Sequence, residues 1–327
     1  MRYLITGGAG FIGSHLAETL HDRGDAVVAL DNMATGNLDN LASLQGKRNF
    51  KLVLGSILDD LLVDELVEQC DVVVHLGAAV GVRLIVEQPL RSLRTNIRGT
   101  EVVLDAVHRY RKKVFIASTS EVYGKASGKM HELSDRVLGP ASVARWSYSA
   151  SKAIDEHLAL SFWREKQIPI VIARFFNTVG PRQTGAYGMV IPRFVAQALL
   201  GRTVEVHGDG TQTRCFCDVE DVVRAVVGLI DSKAAVGEIF NIGTEEEVSI
   251  AELATRIIEA AWSLSSVSLV PYDQVYSDQY EDMLRRVPDT QKIRKALGWE
   301  PQHDLNSIIK RTIAFAQNVG PETLLQS

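Results

Sequence analysis

Apolar positions in the first half of the chain fall into short runs, separated by longer stretches with a helical repeat. Runs rich in β-branched residues at 3–6, 26–31, 51–54, 72–76, 113–118 and 169–174 predict strands. Between them, apolar spacings of three and four predict helices, clearest over 14–23, 94–110 and 149–165. A run such as Val72-Val73-Val74 has no polar alternation, so both faces of its strand must be covered. Covered strands alternating with helices predict an α/β fold with a doubly wound parallel sheet.

After about Asn177 the texture changes. Glycine and proline become frequent (Gly180-Pro181, Gly185, Gly188, Pro192, Gly208, Gly210), and basic residues recur. An acidic helix start, Asp218-Val219-Glu220-Asp221, returns to the first unit, and a further stretch runs from Glu238 to Trp299-Glu300-Pro301. The expected division is a first domain over 1–176 with a returning segment near 215–235, and a smaller, interleaved C-terminal substrate domain within 177–327. No internal repeat or low-complexity segment interrupts it.

Composition changes this picture little. A net charge of −5 over 327 residues gives no general reason for nucleic-acid or membrane binding. The apolar start Tyr3-Leu4-Ile5 runs straight into glycines with no signal-peptide core, and no stretch approaches the roughly 20 apolar residues of a bilayer span. A cytoplasmic protein is expected. Cys70, Cys215 and Cys217 supply neither a disulfide framework nor a metal site. The Cys215-Phe216-Cys217 alternation predicts one strand with both thiols on one face, packed as small apolar groups. His15, on the first helix, is read as a packing residue.

The first strand runs into Thr6-Gly7-Gly8-Ala9-Gly10-Phe11-Ile12-Gly13, which opens the first helix. Glycines there permit a tight turn and let backbone N–H groups approach a pyrophosphate at the positive helix end. Asp31 closes the second strand at the interval a Rossmann dinucleotide site requires. Its carboxylate can accept both ribose hydroxyls and repels a 2′-phosphate, and Asn32-Met33-Ala34 supplies no arginine for that phosphate. NAD is the expected cofactor, not NADP.

Tyr148 and Lys152 are spaced i, i+4 on a predicted helix and share a face. A phenol titrates near 10 in isolation, about three units too high for a base at neutral pH. A neighbouring ammonium and the nicotinamide charge would stabilise the phenolate, letting Tyr148 take a proton from a sugar hydroxyl. The fifth strand delivers Ser118-Thr119-Ser120-Glu121 at its carboxyl end, where α/β sheets bind ligands, and the Thr119 hydroxyl can hydrogen-bond the reacting oxygen.

With these motifs in order, the chain resembles the extended short-chain dehydrogenase/reductase family, specifically its NAD-dependent nucleotide-sugar epimerases, dehydratases and decarboxylases. The resemblance spans nearly the whole length. It includes Thr6–Gly13, Asp31-Asn32, Leu76-Gly77-Ala78-Ala79, Asn96–Thr100, Glu121–Gly124, Tyr148 with Lys152, and Arg174-Phe175-Phe176-Asn177. Gly208–Arg214, Asn241-Ile242-Gly243 and Arg285–Asp289 complete it. It implies further cofactor contacts from Asn32, Gly36, Ser56, Ile57, Leu76, Ala78, Asn96 and Phe175. It also implies substrate contacts from Arg83, Ser120, Asn177, Val190, Arg193, Arg214 and Arg286, the arginines suiting a diphosphate because guanidinium binds phosphate bidentately. Relatives commonly carry Gly-Asp-Ile where this chain has Gly55-Ser56-Ile57, so a hydroxyl replaces a carboxylate near the adenine.

Members of the family oxidise a sugar hydroxyl, usually at C4, and then diverge into 4-epimerisation, 4,6-dehydration or decarboxylation. Glu121 discriminates among them. The epimerases commonly place a small residue there, and glucose-type dehydratases add an aspartate where this chain has Ser120. The Ser118–Gly124 string, Asp31–Gly36 and Arg286–Asp289 are shared with UDP-glucuronate decarboxylases. Their Pro-Pro-Asn-Tyr-type loop is replaced by Val80-Gly81-Val82-Arg83-Leu84-Ile85. A UDP-sugar enzyme of the glucuronate decarboxylase type is the first expectation, a nucleotide-sugar 4-epimerase the second, a sugar-nucleotide 4,6-dehydratase the third, and an NAD-sensing regulator the non-enzymatic alternative. The resemblance also implies a homodimer through helices 94–110 and 149–165, with Leu104, Val107, Leu158 and Phe162 spaced to form the shared face.

Overall fold

The computed structural model describes residues 1–185, 188–275 and 281–325, the side chains of 82 and 83 excepted. Six strands, β1 (Arg2–Thr6), β2 (Ala26–Asp31), β3 (Phe50–Leu54), β4 (Val72–His75), β5 (Lys113–Thr119) and β6 (Ile170–Phe175), pair with a seventh, Ile239–Ile242. Their order across the sheet is 239–242, β6, β5, β4, β1, β2, β3, and every pairing is parallel. Strand order reverses between β1 and β4, so the loops leaving their carboxyl ends diverge and open a crevice.

Alternate residues of the buried strands serve two cores. Ile5, Val74, Phe115 and Val171 face α1 (Phe11–Asp22) and the helix Val219–Asp231. Leu4, Val73, Ile116 and Ile172 face α2 (Asp60–Glu68), α4 (Pro89–Tyr110) and α5 (Arg145–Lys166). That double covering is why these strands carry no polar alternation. A short helix, α3 (Val82–Glu87), leads into α4.

A separate apolar core joins the helices Val190–Leu199, Ile250–Ala260 and Leu305–Val319 with Val204, Val206 and Phe216. The chain returns to the sheet layer more often than its texture indicates. Besides Val219–Asp231, both the strand Ile239–Ile242 and the segment holding Ile293 and Trp299 pack there, and the Trp299 indole donates to the Asp221 carbonyl. Among the described residues no helix is long and apolar enough to cross a membrane.

One expectation drawn from local pattern differs in the structure. Cys215 ends the strand Thr213–Cys215 and Cys217 begins Cys217–Asp218, with Phe216 buried in the second core and Cys217 in the first. The Cys215-Phe216-Cys217 stretch is therefore two short strands, Thr213–Cys215 and Cys217–Asp218, and not one. All three cysteines are buried and free, and burial raises the Cys70 thiol to about 11 and Cys215 to about 12. Leu104 and Val107 are fully buried within one chain, and Leu158 and Phe162 pack half-buried on the same core. Leu104 and Val107 thus belong to the core of this chain, whereas Leu158 and Phe162 on α5 keep part of their surface.

Candidate active site

The crevice at the strand-order reversal is a cavity of about 960 Å³ that joins the glycine loop to the second core. Gly7 has φ +71°, and a Cβ on it would lie 3.0 Å from the Gly77 backbone; a Cβ on Gly13 would lie 2.1 Å from the Gly7 carbonyl oxygen. Only glycine lets these backbones close up beneath a ligand. α1 begins at Phe11 with no side-chain cap, so the N–H groups of its first turn are left for a ligand on the cavity side. Gly7, Gly10, Phe11, Ile12 and Gly13 all line the cavity.

Asp31 ends β2 at the cavity wall, where its carboxylate accepts from the Ala9 N–H at 3.0 Å and the Met33 N–H at 2.8 Å. Two lone-pair positions remain for ribose hydroxyls. Asn32, Gly36, Ser56, Ile57, Leu76, Ala78 and Phe175 complete the dinucleotide half. An uncapped helix, a glycine cradle and an acceptor at this interval fit NAD. His15 lies beside it, bonded through Nε2 to the Pro181 carbonyl, and burial depresses its pKa, in keeping with packing.

Asn96 departs from its expected place. It does not line the cavity; it is buried, accepts from the Ala79 N–H at 2.7 Å, and donates to the Ala79 carbonyl and the Ser151 hydroxyl. Its carboxamide is consumed in holding the loop after β4 against α5, so it shapes the site from behind. Arg83 is in α3, and its side chain lies outside the described residues.

The reactive half is built where β5 meets α5. Thr119 closes β5 and caps the 3-10 turn Ser120–Tyr123, its hydroxyl accepting from the Glu121 N–H. Thr119, Ser120, Glu121, Tyr148 and Lys152 all face the cavity. α5 begins at Arg145, not near Tyr148, and that extra turn brings in a residue absent from the sequence expectations. Arg145 is 2% exposed and grips Glu121 bidentately, Nη1 to Oε2 at 2.6 Å and Nη2 to Oε1 at 3.0 Å. Arg286 adds a longer contact to Glu121 Oε1 at 3.5 Å. The signal for Arg145 was its i, i+3 spacing to Tyr148, which is visible only once the helix start is known.

Charges around the tyrosine differ from the expected pairing. The Lys152 ammonium donates to Asp155 at 2.8 Å, with both groups buried. Burial, and then the carboxylates of Glu121 and Asp155, push the Tyr148 phenol well above its ordinary value, opposed by Arg145 and by a hydrogen bond with Thr119. In the protein alone the phenol is therefore a neutral donor. Its ionisation waits for a further positive charge in the cavity. Burial alone would raise Glu121 as well, but Arg145 and Arg286 overcome it and hold its carboxyl below the usual range.

The substrate arginines converge on the far side. Arg214 donates to Asp282 at 2.8 Å, and Asp282 also accepts from the Tyr272 hydroxyl. Burial and the neighbouring Arg214 lower Arg286 to about 10. Arg193 meets His207 Nε2 at 2.9 Å, and burial together with that guanidinium lowers His207 to about 4. Asn177 donates to the Cys215 carbonyl at 2.7 Å and, with Val190, completes the wall.

Beneath the site, Arg174 pairs bidentately with Glu156 at 2.8 Å and reaches the Tyr123 hydroxyl, which donates to Asn241. Ser118 donates to the same Glu156. The shared motifs at Arg174, Tyr123 and Asn241 thus brace the strand ends behind the cavity and do not line it.

The chain is similar to known proteins over nearly its whole length. The family model described as GDP-mannose 4,6 dehydratase matches residues 4–312. The UDP-N-acetyl-alpha-D-glucosaminuronate decarboxylase of Bacillus cytotoxicus is 42% identical over 97% of this chain and 98% of its own. The UDP-glucuronic acid decarboxylase 1 of Xenopus tropicalis is 33% identical over 96% of this chain and 72% of its own. Among solved structures, the UDP-glucuronic acid 4-epimerase of Bacillus cereus, in complex with UDP-glucuronic acid and NAD, superposes with a TM-score of 0.88 at 28% identity, covering 98% of this chain and 100% of that one.

Proposed function

Given that the chain belongs to the GDP-mannose 4,6-dehydratase family of NAD-dependent nucleotide-sugar enzymes, we propose that it decarboxylates a UDP-linked uronic acid through a 4-keto intermediate. The observation that carries this reading is the ionised Glu121 held between two guanidiniums beside Thr119 and Tyr148, in one cavity with the dinucleotide cradle. The two decarboxylases above, one of them 42% identical, support it. UDP-glucuronate and its 2-acetamido counterpart are the substrates it names.

NAD, when bound, supplies hydride acceptance at C4 and its later return. Tyr148 takes the C4 hydroxyl proton, and Thr119 holds the same oxygen. Oxidation there leaves a ketone β to the sugar carboxylate, whose C5–C6 bond electrons then move toward the C4 oxygen as carbon dioxide departs. Tyr148, now protonated, and Thr119 donate to that oxygen as its negative charge grows. C5 then takes a proton from water, and as C4 is reduced again Tyr148 returns to its oxygen the proton it took. What disfavours dehydration is Ser120, which stands where glucose-type dehydratases carry the aspartate that expels the C6 hydroxyl. Asn177, Arg214 and Arg286 are assigned to the nucleotide diphosphate, with Arg193 a further substrate contact, and the region from 177 onward to the nucleotide-sugar side.

Incubation with UDP-glucuronate and with UDP-N-acetylglucosaminuronate, followed by mass spectrometry, tests the proposal. Loss of the mass of carbon dioxide from either is expected. An isobaric product converts the reading to a 4-epimerase, and water loss from a neutral UDP-hexose to a dehydratase. The enzyme is further read as cytoplasmic and as a homodimer joined through α4 and α5, which still present Leu90 and Ile154 to solvent. A monomeric mass in light scattering at working concentration overturns the dimer.

A further inference from the structure

Two guanidiniums share the Glu121 carboxylate, and they share it unequally. Arg145 makes both close contacts, at 2.6 and 3.0 Å, while Arg286 makes one at 3.5 Å. Their supports differ as well. Arg145 is the first residue of a 22-residue helix that is anchored further along by the buried Arg174–Glu156 pair, and it is 2% exposed. Arg286 sits on a two-residue strand at the cavity wall, between Glu121 and the Arg214–Asp282 pair.

We propose that Arg145 is a positioning residue: it fixes Glu121 as a permanent anion facing Tyr148, and so leaves Arg286, the looser of the two guanidiniums, to the nucleotide-sugar substrate. The part left to Arg286 rests on the substrate reading above; the hold on Glu121 and Tyr148 does not. A planar guanidinium in a bidentate grip sets both the charge and the orientation of its carboxylate. A single 3.5 Å contact sets neither. Arg145 also stands three residues before Tyr148 on one helical face, so its charge acts on the phenol too. The groups facing that phenol are Glu121 from the turn after β5, and Arg145, Lys152 and Asp155 from α5, with Arg286 and Asp282 behind Glu121. Arg145 is the cation opposing the two carboxylates there, the part expected from sequence of Lys152.

The test compares Arg145→Met and Arg145→Lys with the unaltered enzyme. In the enzyme–NAD complex, the Tyr148 ionisation is read at 295 nm as the difference from Tyr148→Phe, a measurement that needs no sugar. Arg145→Met is expected to move the midpoint upward by about one unit or more. The acidic limb of the pH–rate profile moves the same way, with kcat falling and KM for the uronate nearly unchanged. Arg145→Lys restores the charge but not the bidentate grip, so it recovers part of the shift and less of kcat. An unmoved midpoint in a variant that binds NAD normally overturns the proposal. So does a raised KM at unchanged kcat, which would make Arg145 a direct substrate contact. If no uronate is turned over yet the midpoint moves, the hold on Glu121 and Tyr148 stands and the uronate reading fails.

Discussion

Tyr148→Phe is expected to lower kcat by about 10²–10⁴-fold, the usual worth of a positioned general base, while NAD and nucleotide sugar still bind. The substitution removes one oxygen, the atom that hydrogen-bonds Thr119, and leaves the ring in place on α5. Binding rests on other groups: the glycine loop and Asp31 for the dinucleotide, the arginine cluster for the diphosphate. KM should therefore change little. Because burial, Glu121 and Asp155 hold the phenol protonated in the protein alone, turnover in the unaltered enzyme should fall away on the acid side of its pH profile. Steady-state rates across pH, with NAD affinity from fluorescence titration, check both points. Near-normal turnover by a Tyr148→Phe variant that binds both ligands would remove the tyrosine from the chemistry and the proposed reaction with it.

The second large effect falls on stability. Arg174 and Glu156 are both almost wholly buried and bonded bidentately, with Ser118, Tyr123, Asn241 and the Glu132 carbonyl completing the network. Arg174→Met keeps much of the side-chain volume but leaves the Glu156 carboxylate buried without its main counter-charge. Removing one partner of such a pair costs about 3–5 kcal/mol. Urea unfolding should show the midpoint falling with an unchanged slope. Adding Glu156→Leu should recover part of the loss, since two apolar groups leave no stranded charge. A single-variant loss under about 1 kcal/mol would mean that water reaches Glu156 and that the network is not a brace. The pair ties α5 to β5 and β6, so kcat should also drop as Tyr148 loses its fixed distance to Thr119.

What the chain by itself determined is what depends on near neighbours. Uninterrupted apolar runs specify covered parallel strands, because a strand's two faces are read from adjacent residues. The glycine loop with Asp31, the Thr119–Glu121 turn and the Tyr148/Lys152 spacing specify a dinucleotide cradle beside a reactive tyrosine, since each is a local geometry. Tertiary structure alone decided which charges meet. Arg145 grips Glu121 across 24 positions, Arg286 reaches it across 165, and Lys152 turns to Asp155. Asn96 is spent on Ala79, and Leu104 and Val107 are buried within the chain although their spacing equally suits a shared face. Periodicity reports that a side chain faces apolar surroundings but not whose. An ion pair, likewise, forms wherever packing excludes water around two opposite charges, and no spacing along the chain records that.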